Sequence, residues 1–128
     1  MWANCGVVRD EEKIELGLDK LQDLRRAAAH VDVRPSAEGF GDLALVLDLL
    51  GSLDSAEASL RGAKARRESR GSHQRADFPE VEAEQRVNYV IELDDEGALT
   101  LSSRPVAAVS AELDERLAEA EEIEVAGR

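Results

Sequence analysis

The sequence predicts a mainly α fold: a small antiparallel, three-helix-bundle-like domain with a short β-hairpin and a C-terminal helix. Three observations predict it. Residues 10–31 and 42–70 repeat apolar side chains at three- and four-residue spacing, the period of one helix face. Trp2, Phe40, Phe78 and Tyr89 are the only aromatic residues, so the core must be aliphatic, built from Leu, Val and Ala as helix packing prefers. Beyond Pro79 the character changes to short β-branched runs around a glycine turn. At 128 residues the chain has the length of one domain and can bury roughly two-thirds of its unfolded surface. Residues 1–86 read as a helical domain and 87–128 as a hairpin with an acidic helical tail.

In the first helix, 10–31, Asp10 is placed to cap, and Glu11 and Glu12 complement the positive end of the helix dipole. Ile14, Leu18, Leu21, Leu24, Ala28 and Val31 make its apolar stripe, and Arg25 and Arg26 fall toward the C-terminal end. Pro35, Gly39 and Gly41 mark a loop. The second helix is expected over 42–70, with Asp42 as cap and Gly71 as the stop just past its end. Leu43, Val46, Leu50, Leu53, Ala56, Leu60 and Ala63 form its stripe. Leu45, Leu47 and Leu49 widen it, so its first half is expected to be buried on more than one side. Gly51 costs about 1 kcal/mol relative to Ala; it either permits a close approach or bend, or is simply tolerated. The chain is expected to run extended from Gly71 to Pro79, because the residue before proline avoids helix. Residues 87–93 and 98–102, joined through DDEG, predict the hairpin, which needs something to pack on. Residues 111–123 read equally as a last helix, with Leu113, Leu117 and Ala120 as a thin stripe, or as a frayed acidic tail.

The formal charge is −12, which excludes general binding to nucleic acid or anionic membranes. Between Arg61 and Arg75, however, stand six Lys or Arg and one acid, Glu68. Such segregation points to a partner or an internal contact. Arg67 and Arg70 would lie on the last helical turn, where bare carbonyls favour cations. In the extended chain that follows, His73, Arg75 and Asp77 would point to one side. The row reads as a helix-end network that fixes the exit loop, or as an anion or active site.

Cys5 is the single cysteine, which excludes an intrachain disulfide and fits a reducing compartment. It has no CxxC partner and the chain has two histidines, so no zinc site is expected. His30 is expected to cap or be solvated, and the glutamates of the last helix to form a solvated face. No basic leader precedes an apolar core, so no signal peptide is expected. No run of about 18 apolar residues occurs, so no membrane span is expected. No Gly-x-Gly-x-x-Gly dinucleotide fingerprint occurs either.

The stretch RRESRGSHQRADFPE resembles a segment of the C-terminal domain of the succinate dehydrogenase/fumarate reductase flavoprotein subunit family: Arg-x-Glu-Ser-Arg-Gly-x-His-x-Arg-x-Asp-(Phe/Tyr)-Pro. Arg66, Glu68, Ser69, Arg70, Gly71, His73, Arg75, Asp77, Phe78 and Pro79 carry the likeness. The start, MWANCGVVRDEEKIELGLDKLQDLR, is similar to the family's Met-Trp-x-Asn-x-Gly-(Val/Ile)-Val-Arg followed by a helix. Together the two stretches extend the resemblance over residues 1–93. The family continues after the proline with an Arg-Asp-Asp-like step and an Asn-Trp, whereas this chain reads EVEAEQRVNY. L-aspartate oxidase carries a related version of the segment and ranks second.

The resemblance implies a helical domain that packs beside an FAD-binding domain and a capping domain, in an enzyme interconverting succinate and fumarate. FAD attachment and substrate contacts belong to those domains in the family. No catalytic, cofactor-binding or metal residue is therefore assigned here, and this chain alone is not expected to hold FAD or oxidise succinate. Arg66, Glu68, Ser69, Arg70, Gly71, His73, Arg75 and Asp77 stand as a candidate docking or structural motif. The implied partners are the FAD-binding domain or the iron–sulfur subunit. The implied location is cytoplasmic, peripheral to the inner face of a membrane through the parent complex. The family's first bundle helix begins before the Met-Trp pair, so part of the wide 43–53 face is expected to lack a cover and to promote a homodimer. The reading from another class is a free-standing helical interaction module whose basic patch binds an acidic partner.

Overall fold

The computed structural model describes residues 3–34, 36–37 and 39–117. Its elements are β1 (Val8–Arg9), α1 (Glu11–Ala28), α2 (Gly39–Ala65), β2 (Gln74–Arg75), a 3-10 turn (Ala83–Gln85), β3 (Val87–Leu93) and β4 (Leu99–Pro105). Residues 111–117 are also helical. The mainly α domain with a short antiparallel hairpin is the fold the sequence predicts. Met1, Trp2 and residues 118–123 of the expected last helix lie outside the described residues.

Asp10 caps α1 as expected. Its backbone is extended and its Oδ1 accepts a hydrogen bond from the Lys13 amide at 2.8 Å. The helix closes at Ala28, short of the expected Val31, and residues 29–31 continue only as a turn. The β-branched Val31 and Val33 and the coming Pro35 disfavour further helical turns.

The second helix departs from expectation at both ends. It starts at Gly39, where the Ser36 hydroxyl accepts from the Gly39 amide at 3.0 Å, so Asp42 sits inside the first turn instead of capping it. It stops at Ala65, well before Arg70. Arg66 donates the last helical bond, to Gly62, and the next amides bond elsewhere: Ser69 to Glu80 and Arg70 to His73. Gly71 (φ +58°) therefore turns a tight loop between Arg70 and His73 and does not end the helix.

The two helices run antiparallel. Lys64 reaches Glu15 near one end of the pair, and Arg25 reaches Asp54 and Glu57 toward the other. The core between them consists of Ile14, Leu21, Leu53, Ala56, Leu60 and Ala63, with Cys5, Leu18 and Ala28 at its margin. Leu24 and Val31, placed in the α1 stripe by periodicity, are exposed. Gly17 makes the close approach: a Cβ there would meet Asn4 Cβ and Leu60 Cδ2, each at 3.0 Å. Gly51 has nothing within 4 Å of such a Cβ and is the tolerated glycine.

At 18 residues α1 spans about 27 Å, and at 27 residues α2 spans about 40 Å. The difference leaves the N-terminal part of α2 uncovered. Phe40 (74% exposed), Leu45 (66%), Leu47 (60%), Leu43, Leu49 and Leu50 all face out. The expected burial of this half on more than one side does not occur within the described chain, because α1 ends too soon.

The hairpin pairs Val87 with Pro105 through to Leu93 with Leu99. Asp94 Oδ1 accepts from the amides of Glu96 and Ala98, and Gly97 (φ +79°) supplies the left-handed turn residue. The hairpin packs on the second half of α2: Tyr89 Oη donates to the Ala65 carbonyl at 3.2 Å, and Arg61 Nη1 to that of Leu99 at 3.1 Å.

Candidate functional site

The motif residues gather where α2 ends, around two buried charges. The first is Glu68, with none of its surface exposed. Its carboxylate accepts from Arg66 Nη1 (2.6 Å), Arg70 Nε (2.9 Å), Arg70 Nη2 (2.8 Å) and the Glu82 amide (2.9 Å). Bonding to Arg70, the Glu82 amide and Arg66 outweighs burial and holds this carboxyl down at a pKa of about 2.

The second is Arg75, 1% exposed. Its Nε and Nη2 grip the two oxygens of Asp77, both at 2.7 Å, and Nη2 also reaches Glu11 Oε2 at 2.8 Å. Its Nη1 donates to the Ala63 carbonyl at 2.9 Å and lies 3.5 Å from that of Lys64 and 3.4 Å from that of Arg66. One guanidinium thus caps the bare carbonyls of α2 and ties them to α1. Asp77 Oδ2 accepts from the Glu11 amide at 3.0 Å, so Asp77 also serves the first turn of α1. The pair with Arg75 holds Asp77 at a pKa of about 2.

Ser69 stitches the loop. Its Oγ accepts from the Arg75 amide at 2.8 Å and donates to the Phe78 carbonyl at 2.9 Å. The Phe78 ring lies under Arg75 (4.9 Å to the ring centre) and Arg67 (5.8 Å), and Tyr89 lies under Arg66 (4.9 Å). The stretch EVEAEQRVNY still embraces the motif, because Arg66 donates to the carbonyls of Gln85 (2.8 Å) and Val87 (2.6 Å).

His73, Arg75 and Asp77 gather at the exit of α2, but not along an extended chain: one tight turn, Arg70 to His73, leads into them and another, Arg75 to Phe78, contains Asp77. His73 Nε2 meets the Arg66 carbonyl at 3.2 Å, the same oxygen that Arg75 approaches, while Nδ1 meets Arg9 Nη1 at 2.6 Å. Burial first, then Arg9, Arg66 and Arg75, push the imidazole below its usual pKa. Arg67 and Arg70 lie beyond the last turn of α2, not on it. His30 is exposed.

Sequence reasoning did not single out Arg9, Glu11 or Glu82 as members of this site. The available signal was that Arg9 closes the first resembled stretch: the two stretches meet in space, with β1 pairing in parallel with β2. Five of the six bases between Arg61 and Arg75 are ion-paired within the chain: Arg61 with Glu57, Lys64 with Glu15, Arg66 and Arg70 with Glu68, and Arg75 with Glu11 and Asp77.

Among the described residues every buried side-chain nitrogen and oxygen has a partner, and no cluster of three or more His, Cys, Asp or Glu could hold a metal ion. Nor do they fit a flavin. The one parallel strand pair is two residues long, and the left-handed glycines, Gly71 and Gly97, turn loops instead of opening a helix N-terminus toward a phosphate. The buried polar groups of the site are all bonded within the chain. Among the described residues no helix is long and apolar enough to cross a membrane.

Residues 1–118 match the family model described as "Fumarate reductase flavoprotein C-term", extending the likeness past residue 93. The fumarate reductase flavoprotein subunit of Proteus vulgaris is 37% identical over 78 residues, which are 60% of this chain and 13% of that protein. The succinate dehydrogenase flavoprotein subunit of Rickettsia bellii is 28% identical over 108 residues, 83% of this chain and 18% of that protein. A solved structure of the Escherichia coli quinol fumarate reductase FrdA chain superimposes with a TM-score of 0.78 at 28% identity, covering 86% of this chain and 20% of that one. The chain thus spans a fifth or less of the proteins it resembles. These matches favour neither a free-standing interaction module nor an aspartate oxidase domain.

Proposed function

The chain belongs to the family of fumarate reductase/succinate dehydrogenase flavoprotein C-terminal domains, and from that premise we propose that it works docked on an FAD-bearing partner in an oxidoreductase interconverting succinate and fumarate. The observation that carries the docking is the N-terminal half of α2. A helix that is apolar round most of its circumference belongs in an interior. Here Phe40, Leu43, Leu45, Leu47, Leu49 and Leu50 are instead exposed together, and such a patch marks a contact. The proposed occupant is the FAD-binding domain, with the capping domain beside it. The length of the relatives beyond the matched part supports this choice. The ion-paired knot acts in this reading as the structural half of the motif, fixing the exit of α2 so that the apolar half is held in one orientation. An iron–sulfur subunit and a peripheral place on the inner face of a membrane follow from the same resemblance.

The test is to mix the purified chain with the FAD-bearing portion of a fumarate reductase flavoprotein that lacks its own C-terminal domain. Flavin absorbance co-eluting with the chain, and lost on Leu47→Glu, supports the reading; separate elution of the two with the parent sequence overturns it. The same exposed face favours a second reading, a homodimer, because two-fold pairing is the commonest way to cover such a surface. Sedimentation equilibrium of the chain alone separates the two, a strict monomer excluding the dimer.

A further inference from the structure

His73 lies where β1, the exit of α2 and β2 meet. The Arg66 carbonyl oxygen, 3.2 Å from Nε2, can only accept, so Nε2 carries a proton. Arg9 Nη1, 2.6 Å from Nδ1, can only donate, so Nδ1 presents a lone pair. The two contacts together admit one state, the neutral ring with its proton on Nε2. The charged groups acting on the ring are Arg9 from β1, Arg66 from the exit of α2 and Arg75 from β2, all cations. The nearby carboxylates bond elsewhere: Glu68 to Arg66 and Arg70, and Glu11 and Asp77 to Arg75.

We propose that His73 is a pH-operated latch, which when neutral fastens β1 to the exit of α2 and when protonated lets β1 go. Protonation of Nδ1 would set one donor against another at 2.6 Å and add a fourth positive charge to three. The segment around β1 is also anchored at its flanks, where Asn4 Nδ2 donates to the Lys13 carbonyl (3.0 Å) and Glu11 is tied to Arg75 and Asp77, so the release concerns the two residues of β1 itself. Its pairing with β2 is two residues long and rests on Gln74 N donating to Val7 O (3.1 Å) and Ala76 N donating to Arg9 O (2.8 Å). Because the folded state disfavours the proton, the latch contributes fully above the unfolded pKa of about 6.5 and fades as the pH falls through the folded value. The inference stands independently of any docking partner.

The experiment is hydrogen exchange by NMR on the full chain, following the Gln74 and Ala76 amides at about pH 7.5 and about pH 5. Corrected for intrinsic rates, their protection should drop severalfold on acidification, while that of the Asp94 amide in the hairpin stays level. His73→Asn keeps an acceptor near the Nδ1 position but cannot be protonated, and should flatten the response. An unchanged pH response in that variant overturns the latch. So does a wild-type ring whose nitrogen shifts show the proton on Nδ1 near neutral pH, a readout that needs no variant.

Discussion

Replacing Glu68 by Gln tests the buried ion pair at its centre. The substitution keeps the shape and turns one carboxylate oxygen into an amide NH2. Oε1 accepts from Arg66 Nη1 and Arg70 Nε, and Oε2 from Arg70 Nη2 and the Glu82 amide. Whichever way the amide is placed, its NH2 faces two donors, so two bonds are lost. A charged hydrogen bond contributes about 1.5–3 kcal/mol, and breaking a buried pair costs about 3–5 kcal/mol. Arg70 keeps 39% of its side chain exposed and recovers water, which lowers the expectation to about 2–4 kcal/mol. The lowering of the Glu68 pKa from the ordinary 4.5 to about 2 by Arg70, the Glu82 amide and Arg66 has the same sign.

The assay is urea unfolding followed by far-UV circular dichroism. With a slope of about 1.5 kcal/mol per molar urea, the midpoint near neutral pH should fall by about 1.3–2.7 M. The sign of the pH dependence is fixed by the direction of the shift. Because the folded pKa is depressed, Glu68 stabilises fully above the unfolded value of 4.5 and loses that contribution as the pH falls toward 2. The variant lacks that contribution at every pH, so the two curves should converge on acidification. Asp77 titrates low in both proteins and cancels in the difference. Coincident midpoints near neutrality, or a gap undiminished at about pH 2, would refute the reasoning.

Asp77→Ala should destabilise by about 1–3 kcal/mol, since buried Arg75 loses its two-pronged partner and keeps Glu11 as its one remaining carboxylate; the urea midpoint reads it. Gly17→Val should cost about 1–3 kcal/mol through overpacking against Asn4 and Leu60, with a lowered thermal midpoint. Gly51→Ala should do the opposite and stabilise by about 0.5–1 kcal/mol, because a methyl there meets nothing and the helix gains a better former.

What was legible in the sequence was what short-range chemistry decides. Asp10 caps α1 from within its own first turn, the leucine period marks both helices, and the Asp94–Gly97 turn sets the hairpin. What misled was decided at a distance. Periodicity and good helix formers carry the second helix to Arg70, but the carbonyls of Ala63 and Lys64 are claimed by Arg75 from a later loop, and Glu68 is turned inward between two arginines. No window of sequence contains both halves of that competition. Gly17 and Gly51 make the same point: each is a glycine in a helix interior, and only the packing of Leu60 and Asn4 tells the constrained one from the tolerated one.

An acidic protein that crowds its bases at one helix end is solving a problem of opposed helix ends. The C-terminus of α2 presents bare carbonyls and a negative dipole, and the N-terminus of α1 brings the carboxylate of Glu11 to the same place. The antiparallel dipole ends attract, but the carboxylate and the carbonyls are all acceptors and repel one another. Arg75 answers both because its guanidinium projects donors along several fixed directions: Nη1 into the α2 carbonyls, Nη2 to Glu11, and Nε with Nη2 to Asp77, whose own oxygen then receives the Glu11 amide. A lysine, with three donors on one nitrogen, could not span that spread. Because replacing such a buried pair whole by apolar residues often costs no stability, our reading is that it serves here to fix one arrangement over its rivals. Here the rival is the straight continuation of α2 that the local sequence favours. Ending the helix at Ala65 turns Glu68 inward and brings Arg66 against Val87 and Tyr89 of the hairpin, so one set of charges sets the helix end, the loop and the seat of β3 together.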